Sequence, residues 1–173
     1  MKNALHPLDL PIALRLVADG AATYERLEAD LGSSRSQVHA AIKRLRLAGL
    51  LRPDSMDVNR HQLLEFVLFG AKYAFPVRPG LVVRGVPTAH SAPALAEHID
   101  AVDQLVWPSA HGDMIGASIE PLYPRAPELP TRAPRTYRLL TLVDAVRVGR
   151  ARERTLARHM LEVAITGRAH DAA

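Results

Sequence analysis

The chain contains no cysteine, and only 5% of its residues are aromatic. The absence of cysteine excludes disulfides, thiolate catalysis and cysteine-ligated zinc. Long apolar runs are also lacking: the most hydrophobic segment, LLEFVLFGA, is interrupted by Glu65 and is far shorter than the roughly 20 apolar residues that cross a membrane. The N-terminus lacks the apolar core of a signal peptide. These absences favour a cytoplasmic protein without a membrane segment.

Recognisable catalytic motifs are absent as well. The sequence contains neither a GxxxxGK[ST] phosphate loop nor a GxGxxG fingerprint, and it has no GxSxG or HExxH motif. No HxH or HxxxH pair places two imidazoles on one face, as a metal site would need. We therefore expect no enzyme activity, no cofactor and no metal site. A deep polar pocket around His90, His111 or Asp113 would revive an enzymatic hypothesis.

The composition does supply a core and a basic surface. Hydrophobic residues make up 48% of the 173 residues, which is enough for one domain or two small ones and argues against wholesale disorder. The net charge of +4 permits binding to nucleic acid, although many basic enzymes carry a similar charge. Composition alone therefore leaves the function open.

The most informative segment is TYERLEADLGSSRSQVHAAIKRLRLAGLLR, residues 23–52, which predicts two short helices joined by a tight turn. Leu27 and Leu31 are four residues apart and so lie on one face of the first helix. Gly32 follows at once, where a residue that tolerates positive φ can end the helix. A further helix is predicted upstream, near Pro11–Asp19. A helix pair of this kind can position its second helix in the major groove of DNA.

The second helix of the pair is predicted to extend from Arg35 to Ala48. Ser34 and Gln37 have the spacing of a capping box, in which each side chain bonds the other residue's free backbone N–H. The buried stripe is predicted to contain Val38, Ile42 and Leu45, at spacings of four and three. The opposite face then carries Arg35, Ser36, His39, Lys43 and Arg46, with a small Ala40 that permits close approach. Because no Asp or Glu occurs between Leu31 and Pro53, this face is typical of a phosphate-facing surface.

The segment resembles the winged helix-turn-helix domains of bacterial transcription regulators, of the MarR and ArsR kind. The resemblance covers roughly residues 8–75 and is carried by Leu27, by the run 31–36, by Val38 and Ile42, by Lys43-Arg44-Leu45 and by the run 48–51. It implies that Ser34, Arg35, Ser36 and His39 lie near base edges and that Lys43 lies near phosphate. Winged helices also serve as protein-interaction modules, and a basic helix face can simply be solvated.

On this resemblance we predict a sequence-specific DNA-binding transcription regulator that acts as a repressor. A homodimer would bring two such helices to half-sites about one helical turn apart. The predicted contacts to double-stranded DNA are Ser34, Arg35, Ser36, Gln37, His39, Lys43, Arg44, Arg46, Arg52 and Arg60.

The predicted wing departs from the usual pattern. In the segment RPDSMDVNRHQ the tip would carry Asp54 and Asp57, whose carboxylates repel phosphate. Arg52 and Arg60 could contribute from the base of the wing. We expect a stunted wing with a minor role, in which Asp and Ser serve to turn the chain.

Residues 61–75, HQLLEFVLFGAKYAF, predict a helix that is apolar nearly all round, with Asn59 as its cap. Such a helix is usually buried. It would pack either within the chain, which we favour, or against the same helix of a second subunit. Residues 1–75 are thus predicted to form the DNA-binding domain with its connecting helix.

Residues 76–173 are predicted to form a mixed α/β region that serves dimerisation or binds a partner or an effector. The whole fold is predicted to be mainly α with small β elements. The predicted elements are strands at Leu81–Arg84, Gln104–Trp107 and Met114–Ile119, a helix at Ala92–His98, a proline-rich loop at Tyr123–Pro134, and two final helices within residues 135–166. Five arginines between Arg147 and Arg158 either form a solvated face paired with Asp144, Glu153 and Glu162, which we favour, or contact a nucleic acid or a partner.

The segment KYAFPVRPGLVVRGVPTAH, residues 72–90, resembles the region after the winged helix in small bacterial regulators, some of which are encoded beside toxin genes. This resemblance supplies an alternative function. The protein would then be antitoxin-like, binding a protein partner through residues 76–173 while its helix-turn-helix represses its own promoter.

Overall fold

Helices dominate the fold, and a small three-stranded sheet lies in its second half. The computed structural model describes residues 4–167; residues 1–3 and 168–173, at the ends of the two predicted regions, lie outside the described residues. The helices are α1 (Asp9–Asp19), α2 (Tyr24–Leu31), α3 (Arg35–Leu47), α4 (Arg60–Glu65), α5 (Ala71–Ala74), α6 (Pro93–Ala96), α7 (Leu129–Arg132), α8 (Pro134–Val148) and α9 (Ala151–Thr166). The strands are β1 (Val82–Pro87), β2 (Leu105–Pro108) and β3 (Met114–Ser118). The predicted class, mainly α with small β elements, is confirmed.

The first three helices form where the sequence predicted them. Gly32 ends α2 with φ at 64°, in the left-handed region that glycine adopts readily, and the capping box between Ser34 and Gln37 begins α3. The side chains that α3 buries are Val38, Ala41, Ile42 and Leu45. After α3, Leu51 makes an isolated antiparallel bridge with Val58.

The connecting helix is interrupted and only half buried. A π-helical turn, Phe66–Gly70, separates α4 from α5. The buried stripe of the connecting helix contains Leu63, Val67, Ala71 and Phe75, and α4 packs against α9 of the same chain. The expectation of burial all round was wrong, because Phe69 and Tyr73 on the other side remain 60% and 73% exposed. Asn59 does not cap α4, since its side chain donates instead to the Gly49 carbonyl (2.6 Å).

The three strands close into a very small barrel. Strand β1 is antiparallel to both β2 and β3, with Val86 opposite Trp107 and Arg84 opposite Ile115, and β2 and β3 pair in parallel. Gly85 makes this closure possible, because a Cβ atom at that position would overlap the Trp107 carbonyl. All three predicted strands are present with shifted ends, and the predicted helix at Ala92–His98 shortens to α6.

The predicted proline-rich loop, Tyr123–Pro134, is largely helical, so that prediction was wrong. It contains a 3-10 turn, Ala126–Glu128, followed by α7. Pro127, Pro130 and Pro134 each lie in the first turn of a helical element. A missing N–H costs nothing at that point, because the first N–H groups of a helix have no partner inside it.

Helix α8 lies at the centre of the packing, with residues 139–146 all buried. It contacts α1 and α9 as well as α5 and α7, so one core contains side chains from both sides of residue 75. At its buried centre, Asp144 accepts hydrogen bonds from Thr88 Oγ1 and Trp107 Nε1, both at 2.7 Å. Its other carboxylate oxygen binds Arg147 (2.7 Å). The two residues pair as expected, but their side chains are only 4% and 1% exposed, so the expectation of a solvated face was wrong for Arg147. No helix among residues 4–167 has the length and apolar character that a membrane crossing needs.

Candidate nucleic-acid interface

Helix α3 is fixed to α1 by a nearly buried ion pair. Arg44 Nε donates to Asp9 Oδ2 (2.8 Å) and Arg44 Nη2 donates to Asp9 Oδ1 (2.6 Å). The Asp9 side chain is 1% exposed and that of Arg44 is 14% exposed. Hydrogen bonds to Asp9 raise the pKa of Arg44 above its ordinary value. Arg44, one of the predicted DNA contacts, is therefore directed to α1 and holds α3 in place.

The start of α3 is held by its capping box. The backbone N–H of Gln37 donates to Ser34 Oγ (3.4 Å), and the backbone N–H of Ser34 donates to Gln37 Oε1 (3.0 Å). Ser36 Oγ lies 3.1 Å from Ser34 Oγ. All three side chains are exposed, so the first turn of α3 presents an ordered group of hydroxyl and amide groups to solvent.

The outward face of α3 contains no carboxylate. Ser36, Ala40, Lys43 and Leu47 are exposed and follow one another at spacings of four, three and four, which places them on a single stripe. His39 lies beside this stripe, and its ring stacks on Tyr24 of α2 with 3.9 Å between centroids and 7° between planes. The stacking fixes the orientation of an exposed imidazole, which can donate or accept hydrogen bonds.

Two acidic residues of α2 lie close to this face. Arg35 Nη1 is 3.6 Å from Glu25 Oε1, and Arg35 Nε is 4.0 Å from Glu28 Oε1. The side chains of Arg35 and Glu25 are 60% and 75% exposed, whereas that of Glu28 is 26% exposed. Solvent-screened pairs at these distances contribute little energy, so Arg35 can exchange them for another anion. No acidic residue occurs between residues 31 and 53, so this segment alone did not predict acidic groups beside α3. Glu25 and Glu28 come from the preceding helix.

A short turn follows α3 and is closed by the isolated bridge between Leu51 and Val58. Arg46 Nη2 donates to the Ser55 carbonyl (3.1 Å) and so braces this turn. Arg52 is exposed, whereas Arg60 Nη1 donates to the Ile165 carbonyl (2.6 Å) at the end of α9. The structure thus brings Ser34, Arg35, Ser36, Gln37, His39 and Lys43 together on α3, and it directs Arg44, Arg46 and Arg60 to other parts of the protein.

The C-terminal region packs against the turn between α2 and α3. Arg132 Nη1 donates to the Ala29 carbonyl (2.9 Å), and Arg125 Nη1 approaches the Gly32 carbonyl (3.4 Å). Glu128 accepts hydrogen bonds from both arginines, which lowers its pKa and raises that of Arg125. These contacts join residues about a hundred positions apart, and no local pattern indicates them.

One of the residues suggested for a catalytic pocket, His90, borders a groove together with Asp103, Arg150 and Glu153. His111 and Asp113 are exposed, while His90 is buried with Nε2 2.7 Å from the Asp103 carbonyl and Nδ1 3.4 Å from Glu153 Oε2. Ser91 Oγ accepts a hydrogen bond from the Leu105 N–H (2.9 Å). In the described part of the chain, no three His, Asp or Glu side chains are grouped so that they could hold a metal ion.

Comparison with protein-family models, with curated proteins and with solved structures gave no match. Function must therefore be inferred from the geometry of the chain. The most distinctive feature of the described residues is the exposed, carboxylate-free stripe of α3, on a helix that is capped at its start and anchored to α1.

Proposed function

We propose that the protein is a sequence-specific DNA-binding transcription regulator of the winged helix-turn-helix type, and that it acts as a cytoplasmic repressor. Helix α3 would enter the major groove, which admits an α-helix. The observation that carries this proposal is the exposed stripe Ser36, Ala40 and Lys43, where a small residue lies between a hydroxyl and an ammonium group. The residues that would read base edges are Ser34, Arg35, Ser36 and His39.

Lys43 has a different role in this proposal, because it carries a flexible point charge and lies on the stripe between Ala40 and Leu47. We assign it to a phosphate, with Arg52 as a second phosphate contact from the short turn. Arg44, Arg46 and Arg60 become positioning residues, since each is held by a partner elsewhere in the protein.

We further propose that the regulator is a homodimer, since a palindromic operator needs two copies of α3. Phe69 and Tyr73 support this proposal, because they are exposed and lie four residues apart on the connecting helix. The double substitution F69E/Y73E should then yield monomers in sedimentation velocity. A dimer that persists unchanged in the variant would place the interface elsewhere.

The test of DNA binding is fluorescence anisotropy with the DNA upstream of the gene, against scrambled DNA of equal length, at several salt concentrations. The substitution K43A should weaken binding to both DNAs and reduce the slope of log Kd against log salt by about one. The matched control is R152A, which removes the same charge from the exposed start of α9. Equal effects of K43A and R152A, or equal binding of both DNAs by the unaltered protein, would contradict the proposal.

A second candidate function is supported by an apolar patch on the small barrel. Leu81, Val82, Val102 and Ile115 are 83%, 71%, 98% and 60% exposed, and the last three line one groove. Exposed apolar patches mark protein-interaction sites. The chain would then be antitoxin-like and would bind a folded partner encoded by the adjacent gene.

Co-expression with that adjacent gene product tests the second candidate. The partner should co-purify with the unaltered protein and with K43A, but not with V82D/I115D. Loss of the partner with K43A, or its retention by V82D/I115D, would contradict a partner site on the barrel.

A further inference from the structure

A groove of about 500 Å³ lies between α1, α8 and α9, which pack against one another. Its floor is apolar and nearly closed to solvent, since Val17, Leu139 and Leu142 are only 8%, 5% and 1% exposed. Met160 and Val163 of α9 also line the groove and remain partly exposed. The groove thus offers an apolar surface that is already shaped by three packed helices.

Basic side chains line this groove on both α8 and α9. Arg135 and Arg138 belong to α8, and His159 belongs to α9. All three residues are exposed, and none of the described residues that line the groove carries a carboxylate. The apolar floor is therefore accompanied by two permanent positive charges and an imidazole.

These basic groups are available to a partner. Within residues 4–167, the Arg138 guanidinium and the His159 ring have no hydrogen-bond or ion-pair partner. Arg135 lies 3.5 Å from the carboxylate of Asp19, but its side chain is 76% exposed, so this screened pair contributes little energy. An incoming acidic group would therefore have little to displace.

The arrangement of the lining residues suits a docked helix. Four of them share one side of α8: Arg135, Arg138, Leu139 and Leu142. At about 1.5 Å per residue, this stripe is roughly 10 Å long, which corresponds to about two turns of a helix. Met160 and Val163, three residues apart, form a second stripe on α9. A groove between two such stripes can accept the apolar side of an amphipathic helix.

We propose that this groove binds an acidic amphipathic helix of a partner protein. The apolar side of that helix would cover Leu139 and Met160, and carboxylates on its flanks would contact Arg135, Arg138 and His159. The groove shares no lining residue with α3 or with the apolar patch on the barrel. The inference therefore does not depend on the proposed function.

The probe is a fluorescein-labelled peptide of about 18 residues, long enough to form a helix, with leucines spaced three and four apart and glutamates on both flanks. Its anisotropy reports association with the full chain. One comparison peptide has lysine in place of every glutamate, and another has glutamine in place of every leucine. We expect saturable binding of the acidic peptide and at least tenfold weaker binding of both comparison peptides, because one loses charge complementarity and the other loses its apolar side.

The double substitution R135E/R138E reverses the charge along α8 without altering the buried floor. Carboxylates in the first turns of a helix are favourable to its dipole, so the fold should be preserved. This variant should prefer the lysine peptide to the glutamate peptide. The matched control is R152E, which reverses a charge at the exposed start of α9 and should keep the original preference.

Three results would overturn the proposal: no saturable binding of the acidic peptide, equal affinity for the glutamate and lysine peptides, or an unreversed preference in R135E/R138E. Two further measurements identify other occupants. Binding of phosphatidylglycerol vesicles without binding of the acidic peptide would assign the groove to a membrane surface. Self-association that R135E/R138E abolishes would assign it to a second copy of the chain, and either outcome would replace the proposed partner helix.

Discussion

Arg44 and Asp9 form a two-point ion pair between α3 and α1, with N–O distances of 2.8 and 2.6 Å. The two residues are 35 positions apart, and Asp9 also accepts the backbone N–H of His6 at 2.8 Å. One carboxylate therefore ties the exposed helix to the core and orders the segment before α1. A rigid support of this kind would suit the proposed entry of α3 into the major groove.

The substitution D9N changes the shape of the side chain very little, but it should destabilise the protein clearly. In D9N the Arg44 guanidinium remains in a largely buried place without its counter-charge, and such losses cost about 3 kcal/mol. Urea unfolding followed by circular dichroism measures the free energy of unfolding. The control is E25Q, which neutralises an exposed carboxylate of α2 and should change stability by less than about 0.5 kcal/mol. Similar stabilities of D9N and E25Q would show that the pair does not anchor α3.

The exposed stripe of α3 yields a prediction that separates DNA binding from folding. In A40E a carboxylate lies at the centre of the proposed groove-facing surface, where it repels phosphates and fills the space that alanine leaves open. We expect loss of DNA binding by a factor of about 100 or more, because like charges across an interface cost several kcal/mol. Since Ala40 is exposed, the stability should stay within about 0.5 kcal/mol of the unaltered protein.

A matched control for A40E is A164E, which adds the same charge to an exposed position of α9. It should leave DNA affinity nearly unchanged at moderate salt, where distant surface charges are screened. An A40E protein that still binds upstream DNA would exclude α3 as the reading helix.

Local patterns in the sequence predicted the parts of the fold that depend on nearby residues. The turn at Gly32 and the capping box at Ser34 involve groups within a few positions of one another, and both are present. The three strands of the barrel were also recognisable from short apolar runs. Their closure was not, because it depends on pairing between segments up to 35 positions apart, such as Val82 with Ala117.

Side-chain roles that depend on distant partners were beyond the sequence. Arg44 lies at the side of α3, between the buried stripe and the exposed one, so helical periodicity alone could not decide its direction. The hydrogen bond to Asp9 determines the direction of the Arg44 side chain in the folded protein. Similarly, Arg125 and Arg132 contact backbone carbonyl groups at the end of α2, and their partners lie 93 and 103 positions earlier in the sequence. Prolines misled the prediction for residues 123–134, because proline suits the first turn of a helix as well as a loop.

The unpaired hydroxyl of Tyr123 predicts a stabilising substitution. In Y123F the buried phenol oxygen disappears while the ring remains, so the protein no longer desolvates a donor without compensation. We expect the free energy of unfolding to rise by about 1 kcal/mol. Chemical denaturation measures this change, with Y73F as the exposed control. A Y123F protein that is less stable would mean that the hydroxyl has a partner in solution, such as an ordered water molecule.

Tyr137 predicts how stability depends on alkaline pH. Burial first, and then the negative charge of Asp113, raise the pKa of Tyr137 from 10.0 to about 12. Its hydroxyl also donates to the Pro87 carbonyl (2.6 Å), a bond that requires the proton. Because the folded protein holds this proton more tightly than the unfolded chain, the associated stability is complete below about pH 10. It is lost progressively as the pH rises toward 12.

Urea unfolding at a series of pH values from 9 to 12 measures this loss, and absorbance near 295 nm follows the ionisation of tyrosine. In Y137F the phenol that causes the effect is absent, so the decline in stability above pH 10 should be shallower than in the unaltered protein. Tyr73, which is 73% exposed, provides the matched control, and Y73F should keep the original pH dependence. Parallel stability curves for Y137F and the unaltered protein would contradict the raised pKa, because a group with equal affinity for protons in both states contributes no pH dependence.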